Sequence, residues 1–168
     1  MLDSIKLRFD NLEKRRLTLV ERVRAMSETE QQSPSRPNSF TPAEVIKHFA
    51  MIESFNAAFL DKNPPRTLSG QKTALRFFGN FAMNGMKDTV KGVSSLPQAT
   101  PKGEVDLEAA AAEWEAVRVK LRSYFEQVTD ADAAFIKMMW LFGTLSANMY
   151  LDLMETHTHY HEVRLERV

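Results

Sequence analysis

The sequence predicts an all-α fold: a four-helix bundle with long connecting loops, forming a single domain over residues 1–168. Three observations carry this expectation. Apolar residues recur at steps of three and four in several separate stretches, the spacing of a helix face. No stretch alternates with period two long enough to suggest a sheet. The periodic stretches are separated by two polar, proline-containing segments, Ser27 to Ser39 and Gly92 to Gly103, and by shorter joints. Each amphipathic helix must bury its stripe against others, and a bundle is the natural way to do so.

The first helix is expected from about Asp3 to Met26. Ile5, Phe9, Leu12, Leu19, Val23 and Met26 form its stripe, which Arg16 interrupts. The second has a clear start. Thr41 can cap it, Pro42 suits the first helical position, and Glu44 stands where a capping box places an acid. Its stripe reads Val45, Phe49, Ile52, Phe55, Phe59, and it ends near Asp61, before Asn63-Pro64-Pro65. A third helix is expected over Ser69 to Lys91, with Leu75, Phe78, Ala82 and Met86 on one line and Gly79 and Gly85 as points of close approach. The fourth is the most regular: Leu107, Ala110, Trp114, Val117, Leu121, Tyr124, Val128. Thr129 with Asp132 then resembles a fresh capping box, so a turn or short extra helix is expected toward Phe142, stopping at Gly143. Thr144 or Ser146 can cap the last helix, which runs close to the C-terminus.

Composition removes several function classes. Lysine and arginine total 22, aspartate and glutamate 22, so no whole-molecule field gathers nucleic acid or an anionic membrane. The first helix is rich in Lys and Arg, but its interleaved acids make it a solvated face rather than a nucleic-acid surface. There is no cysteine, hence no disulfide, no thiolate ligand and no cysteine nucleophile. The opening residues are not an apolar signal segment, and no run reaches the roughly 18 apolar residues of a spanning helix. A cytoplasmic protein is the expectation. No Gly-rich phosphate loop or Walker-like motif is present.

The residues that carry chemistry are histidines. There are four: His48, His157, His159 and His161. His157 and His161 are four apart, so on a helix they share one face, where both rings can reach a single ion. Tyr150 and Met154 continue that face toward the core. His159 is turned by roughly 200° from His157 and should face away. His48 lies between Val45 and Ile52 on an inward stripe, where a polar ring needs a partner: a metal, a backbone carbonyl or a carboxylate. His48, His157 and His161 together make a candidate three-histidine metal site. Three imidazoles suit Zn, Ni, Fe or Co better than Mg or Ca, and three protein ligands leave a position open for chemistry. A di-iron carboxylate bundle is disfavoured, because it needs Glu-x-x-His pairs that this chain lacks.

A capped helix with Phe40-Thr41-Pro42-Ala43-Glu44-Val45-Ile46-Lys47-His48, then Leu141-Phe142-Gly143-Thr144-Leu145-Ser146 and a terminal His157-x-x-x-His161, resembles the DinB/YfiT-like superfamily of metal-binding four-helix bundles. The resemblance implies a metal held by His48, His157 and His161, most often Ni or Zn, and a homodimer. It implies a thiol-dependent S-transferase or a metal-dependent hydrolase acting on a small-molecule substrate, with a low-molecular-weight thiol as partner in the first case. Two positions depart from the family's pattern: Arg164 stands where Gln is frequent, and Met149-Tyr150 where an acidic-aromatic pair is frequent.

A metal with an open position can lower the pKa of bound water or hold a thiol as thiolate, giving a nucleophile at neutral pH without a cysteine. Glu44, one turn before His48, and Asn56, two turns after it, are candidates for a supporting partner or proton acceptor; a cap is the simpler role for Glu44. Tyr150 and Tyr160 could orient substrate, with aromatic packing the simpler role. The alternative function is a non-catalytic bundle whose histidines form a structural or vestigial metal site.

Overall fold

The computed structural model of the chain describes residues 1–37, 39–62, 66–67, 97–129, 134–137 and 144–165; positions 66–67, 98, 134–137 and 144 are described by backbone alone. Four long helices dominate: α1 (Asp3–Arg24), α3 (Pro42–Leu60), α4 (Leu107–Glu126) and α5 (Ala147–Leu165), with a one-turn α2 (Glu28–Gln31) after the first. α3 lies along α4, and α1 along α5. The architecture is the expected four-helix bundle. The helix expected over 69–91 lies outside the described residues, as does the stop at Gly143. Among the described residues, no helix is long and apolar enough to cross a membrane.

Local chemistry explains the helix ends. Thr41 Oγ1 accepts from the Glu44 backbone N–H at 3.1 Å, and Glu44 Oε2 accepts from the Thr41 N–H at 2.8 Å, with Pro42 inside the first turn. Two otherwise unpaired backbone donors are satisfied reciprocally. Ser27 and Glu30 form a second such box around α2. That turn falls inside the segment read as loop, although Ser27-x-x-Glu30 was legible as a box. Asp106 caps α4 by accepting from the Ala109 N–H at 3.0 Å. Ser146, one of the two expected candidates, accepts from the Met149 N–H at 3.2 Å at the head of α5. Because the α3 box fixes the helix that carries His48, Thr41→Ala is expected to cost about 1 kcal/mol of stability. Urea denaturation measures this; an unchanged midpoint would show that the box contributes nothing.

Two expectations need correction. Where a turn or short helix was expected after Thr129, Ala134–Lys137 is a strand, β2. It pairs antiparallel with β1 (Arg66–Thr67) through Arg66↔Phe135 and with β3 (Thr144–Ser146) through Ile136↔Leu145. Strands of two to four residues are too short for a period-two pattern to show. The stripe of α3 is also rotated from its expected line. Phe55 is 43% exposed, whereas Glu53 is 4% exposed and Asn56 9%. Reading apolar residues alone passes over a polar residue that the fold buries beside a partner.

That partner reveals how the core is built. One apolar cluster gathers Phe9, Leu12, Leu60, Leu121, Phe125 and Tyr150 at one end of the bundle. A second gathers Val23, Ile46, Phe49, Trp114 and Leu165 toward the other. Buried polar residues intervene in the chain between them, Arg16 on α1 and Glu53 and Asn56 on α3, and Arg118 on α4 is buried as well. Arg118 donates to Glu53 twice, Nε at 2.6 Å and Nη2 at 2.8 Å, a fork-to-fork pair fully inside the protein. Burial pushes the Glu53 carboxyl up, and the Arg118 charge opposes that shift. Arg16, the residue that interrupts the α1 stripe, donates to Glu13 at 2.5 Å and lies over the face of Trp114. Along the α1–α5 seam, Arg8 pairs with Asp152 and Glu155, and Arg15 with Glu162.

Candidate metal centre

α3 and α5 bring three of the four histidines to one point. His48 and His161 are buried, and His157 keeps part of its surface exposed. One ring nitrogen from each lies within 4.8 Å of the other two. His48 Nε2 is 3.1 Å from His157 Nε2, and His161 Nε2 is 3.2 Å from the same atom. His159 is exposed on the other side of α5, as its helical position requires.

The spacing fits a metal. A tetrahedral zinc with nitrogen ligands at about 2.0–2.1 Å places those nitrogens about 3.3 Å apart, close to the separations here. The remaining side of His48 is fixed as well. Its Nδ1 stands 2.6 Å from the carbonyl oxygen of Ala99, in a 3-10 turn at Pro97–Ala99. A carbonyl only accepts, so Nδ1 carries the proton and Nε2 presents its lone pair to the cluster. Hydrogen bonding among the rings alone serves this group poorly, since one N–H on His157 has two imidazole nitrogens to answer. The donor set is neutral, convergent and oriented, and could hold a divalent transition ion.

Aromatic walls surround it. The Phe49 ring lies 5.0 Å from His157 and 5.1 Å from His161, and it stacks parallel on Trp114 at 4.6 Å. Phe40 lies 5.0 Å from His48 and 6.3 Å from His161. Tyr160 meets His161 edge-on at 5.0 Å, and the Arg164 guanidinium covers the Tyr160 ring at 3.5 Å. Tyr150 stands apart, in the core against Phe125. Burial pushes its hydroxyl pKa up, and the nearby Glu53 charge pushes it further. Asn56 lies near that hydroxyl, beside the buried polar residues. Glu44 is engaged as the α3 cap. Phe40, Phe49 and the Ala99 carbonyl were not singled out from sequence. Phe49 read only as part of the α3 stripe and Phe40 only as part of the stretch leading to His48, and a backbone carbonyl carries no sequence signal.

Burial lowers the pKa of all three rings. His157 falls to about 3, chiefly by desolvation and then by the positive charge of His48. His161 falls well below its ordinary value for the same first reason, with His157, His48 and Arg164 adding repulsion. His48 falls by burial, partly offset by the Ala99 carbonyl. The rings are therefore neutral at pH 7 and ready to ligate. For the metal-free protein this fixes the direction of its acid sensitivity. The folded pKa values lie below the unfolded value of about 6.5, so below that pH the unfolded chain binds protons that the folded one refuses. Stability is fully present above the unfolded value and falls with acid, for His157 down to about pH 3. Each ring that stays neutral contributes about 1.4 kcal/mol per pH unit. Urea denaturation between pH 7 and pH 4 measures the slope. A His157→Phe variant should show a shallower one; equal slopes would contradict the assignment.

Comparison with known proteins agrees with this arrangement. The family model described as the DinB superfamily matches residues 11–162, a span containing all three clustered histidines. Among solved structures, the crystal structure of TT2238, a four-helix bundle protein, superposes with a TM-score of 0.55 at 18% identity, covering 99% of this chain and 99% of that one. At that identity the likeness concerns the fold. No curated protein sequence matches.

Proposed function

The chain belongs to the DinB superfamily, and we propose that it is a metal-dependent enzyme in which His48, His157 and His161 hold a nickel or zinc ion and a small thiol is the nucleophile. The observation that carries this reading is the convergence of three ring nitrogens within 4.8 Å, with His48 Nε2 and His161 Nε2 at 3.1 and 3.2 Å from His157 Nε2 and the His48 lone pair fixed by Ala99. A divalent ion there would supply a Lewis acid that lowers the pKa of a coordinated thiol, so that a nucleophile exists at neutral pH.

The surroundings favour a thiol over water. A hydrolase benefits from a carboxylate or imidazole placed to take a proton from the attacking water. Glu44, the carboxylate one turn before His48, is committed to the Thr41 backbone N–H. A thiol, with an ordinary pKa near 8.5, needs far less help than water to ionise. The apolar faces of Phe40 and Phe49 exclude water and would seat the carbon skeleton of an electrophile. The partly exposed edge of His157 offers the way in.

The test compares zinc-loaded and metal-free protein in the reaction of 2-mercaptoethanol with monobromobimane, followed by fluorescence. The proposal expects acceleration above the uncatalysed rate with the loaded protein alone. Equal rates for loaded and metal-free protein would leave the histidines as a structural or vestigial site. Acceleration of p-nitrophenyl acetate hydrolysis without thiol would instead point to water as the nucleophile.

A further inference from the structure

The candidate ligands come from two helices that belong to different pairs. α3, with His48, lies along α4, whereas α5, with His157 and His161, lies along α1. The level of α5 relative to His48 is therefore set in large part through α1. The tolerance is small. Metal–nitrogen bonds are about 2.0–2.1 Å long, so sliding α5 by one helical turn, about 5.4 Å, would carry both of its rings out of reach of an ion held by His48.

α1 meets α5 through a ladder of arginines. Arg8, Arg15 and Arg22 are seven apart, so they share one face of α1. Arg8 Nε donates to Glu155 Oε1 at 3.0 Å, and its Nη1 donates to the Asn148 carbonyl at 3.2 Å. Arg15 donates from Nε to Glu162 Oε1 at 3.1 Å and from Nη2 to Glu162 Oε2, a fork across both oxygens. Arg22 Nη2 donates to the Leu165 carbonyl at 2.9 Å. The partners climb α5 as the arginines climb α1, so the two helices run parallel. Glu155 and Glu162 are also seven apart, and they bracket His157 and His161.

A ladder with equal pitch on both sides accepts one register. A slip of three or four residues would leave at least one of Arg8 and Arg15 opposite Leu151, Thr158, His159 or Leu165, none of which is an acid. The apolar contacts of α5 discriminate less, because apolar attraction is non-directional and a methionine such as Met154 adapts its shape. The charged pairs are partly exposed, and such pairs add little net stability. Charges along a helix seam act instead on register and orientation.

We infer that Arg8 and Arg15 are positioning residues for the metal site: paired with Glu155 and Glu162, they fix the level of α5 against α1 and so hold His157 and His161 level with His48. The basic face of α1 thereby gains a role beyond solvation. The inference rests on the metal reading proposed above, and extends it from the three rings to the seam that aligns them.

The test titrates the full chain with cobalt(II) and reads binding from the ligand-field absorption. The double variant Arg8→Gln with Arg15→Gln should bind cobalt about tenfold more weakly, the scale of losing support for a ligand. Its melting temperature without metal should change little. Raising KCl from about 0.05 M to about 1 M should weaken cobalt binding by the unaltered protein and leave the double variant unmoved. A swapped pair makes the assignment specific: Arg15→Glu should weaken binding, and Arg15→Glu with Glu162→Arg should restore it. Arg24→Gln, which breaks a pair with Glu108 on α4 instead, should bind cobalt as the unaltered chain does. Unchanged affinity and spectrum in the double variant would overturn the inference, as would an equal loss in Arg24→Gln or no recovery in the swapped pair. In each of those cases the unaltered protein still binds cobalt and the metal reading stands. If the unaltered protein binds none, the metal reading fails and this inference with it.

Discussion

His48→Ala is expected to lose stoichiometric zinc binding, with affinity reduced by at least about 100-fold relative to the unaltered chain. Changing a residue that only supports a metal ligand costs about 10–100-fold, and a candidate ligand itself is removed here. His48 is the informative choice because it comes from α3 while the other two candidate ligands come from α5. Removing it leaves the His157-x-x-x-His161 pair intact on its own helix, so the loss reports on the junction between helices. The control is His159→Ala, exposed on the far side of α5, which should bind as before. Thermal stability gives an independent reading. A ligand at 100 times its Kd stabilises the folded state by about 2.7 kcal/mol, so zinc should raise the melting temperature of the unaltered protein and of His159→Ala. It should leave that of His48→Ala where it was. A zinc-induced rise in His48→Ala equal to that of the unaltered chain would exclude His48 from the site.

The second large effect concerns the fold. Arg118→Leu is expected to cost about 3–5 kcal/mol, because it leaves the Glu53 carboxylate buried without its partner. In a domain of this size that corresponds to a fall of roughly 6–20 °C in melting temperature. The pair itself need not be a net source of stability, since both charges gave up water to form it. The double variant Glu53→Leu with Arg118→Leu should therefore recover much of the loss. Calorimetry on the two single variants and the double one distinguishes the cases. If the double variant loses the sum of the single losses, the two residues act independently and the account of the buried pair is wrong. The position of the pair also matters for the site. Arg118 lies over the face of Trp114, on which Phe49 stacks, and Phe49 packs against His157 and His161. A shift in the pair would reach the histidines through two aromatic rings.

Much of this was legible in the residues. The α3 box was readable because Thr41, Pro42 and Glu44 each have one strong positional meaning. The α4 stripe was readable because Leu107, Ala110, Trp114, Val117, Leu121 and Tyr124 are apolar and buried. The meeting of His48 with His157 and His161 followed from helical spacing and a bundle that must bury both faces. What escaped has physical reasons. Glu53 and Arg118 hide because each looks like a surface residue until the other is placed beside it. The strands hide because two to four residues show no period. Ala99 hides because its carbonyl, not its side chain, orients His48.

The central claim is that three histidines from two helices hold one metal ion. Elemental analysis of protein purified without chelators or added metal, beside His48→Ala purified identically, tests it most directly. The account predicts close to one nickel or zinc per chain in the unaltered protein and close to none in the variant. No metal in either form would contradict it.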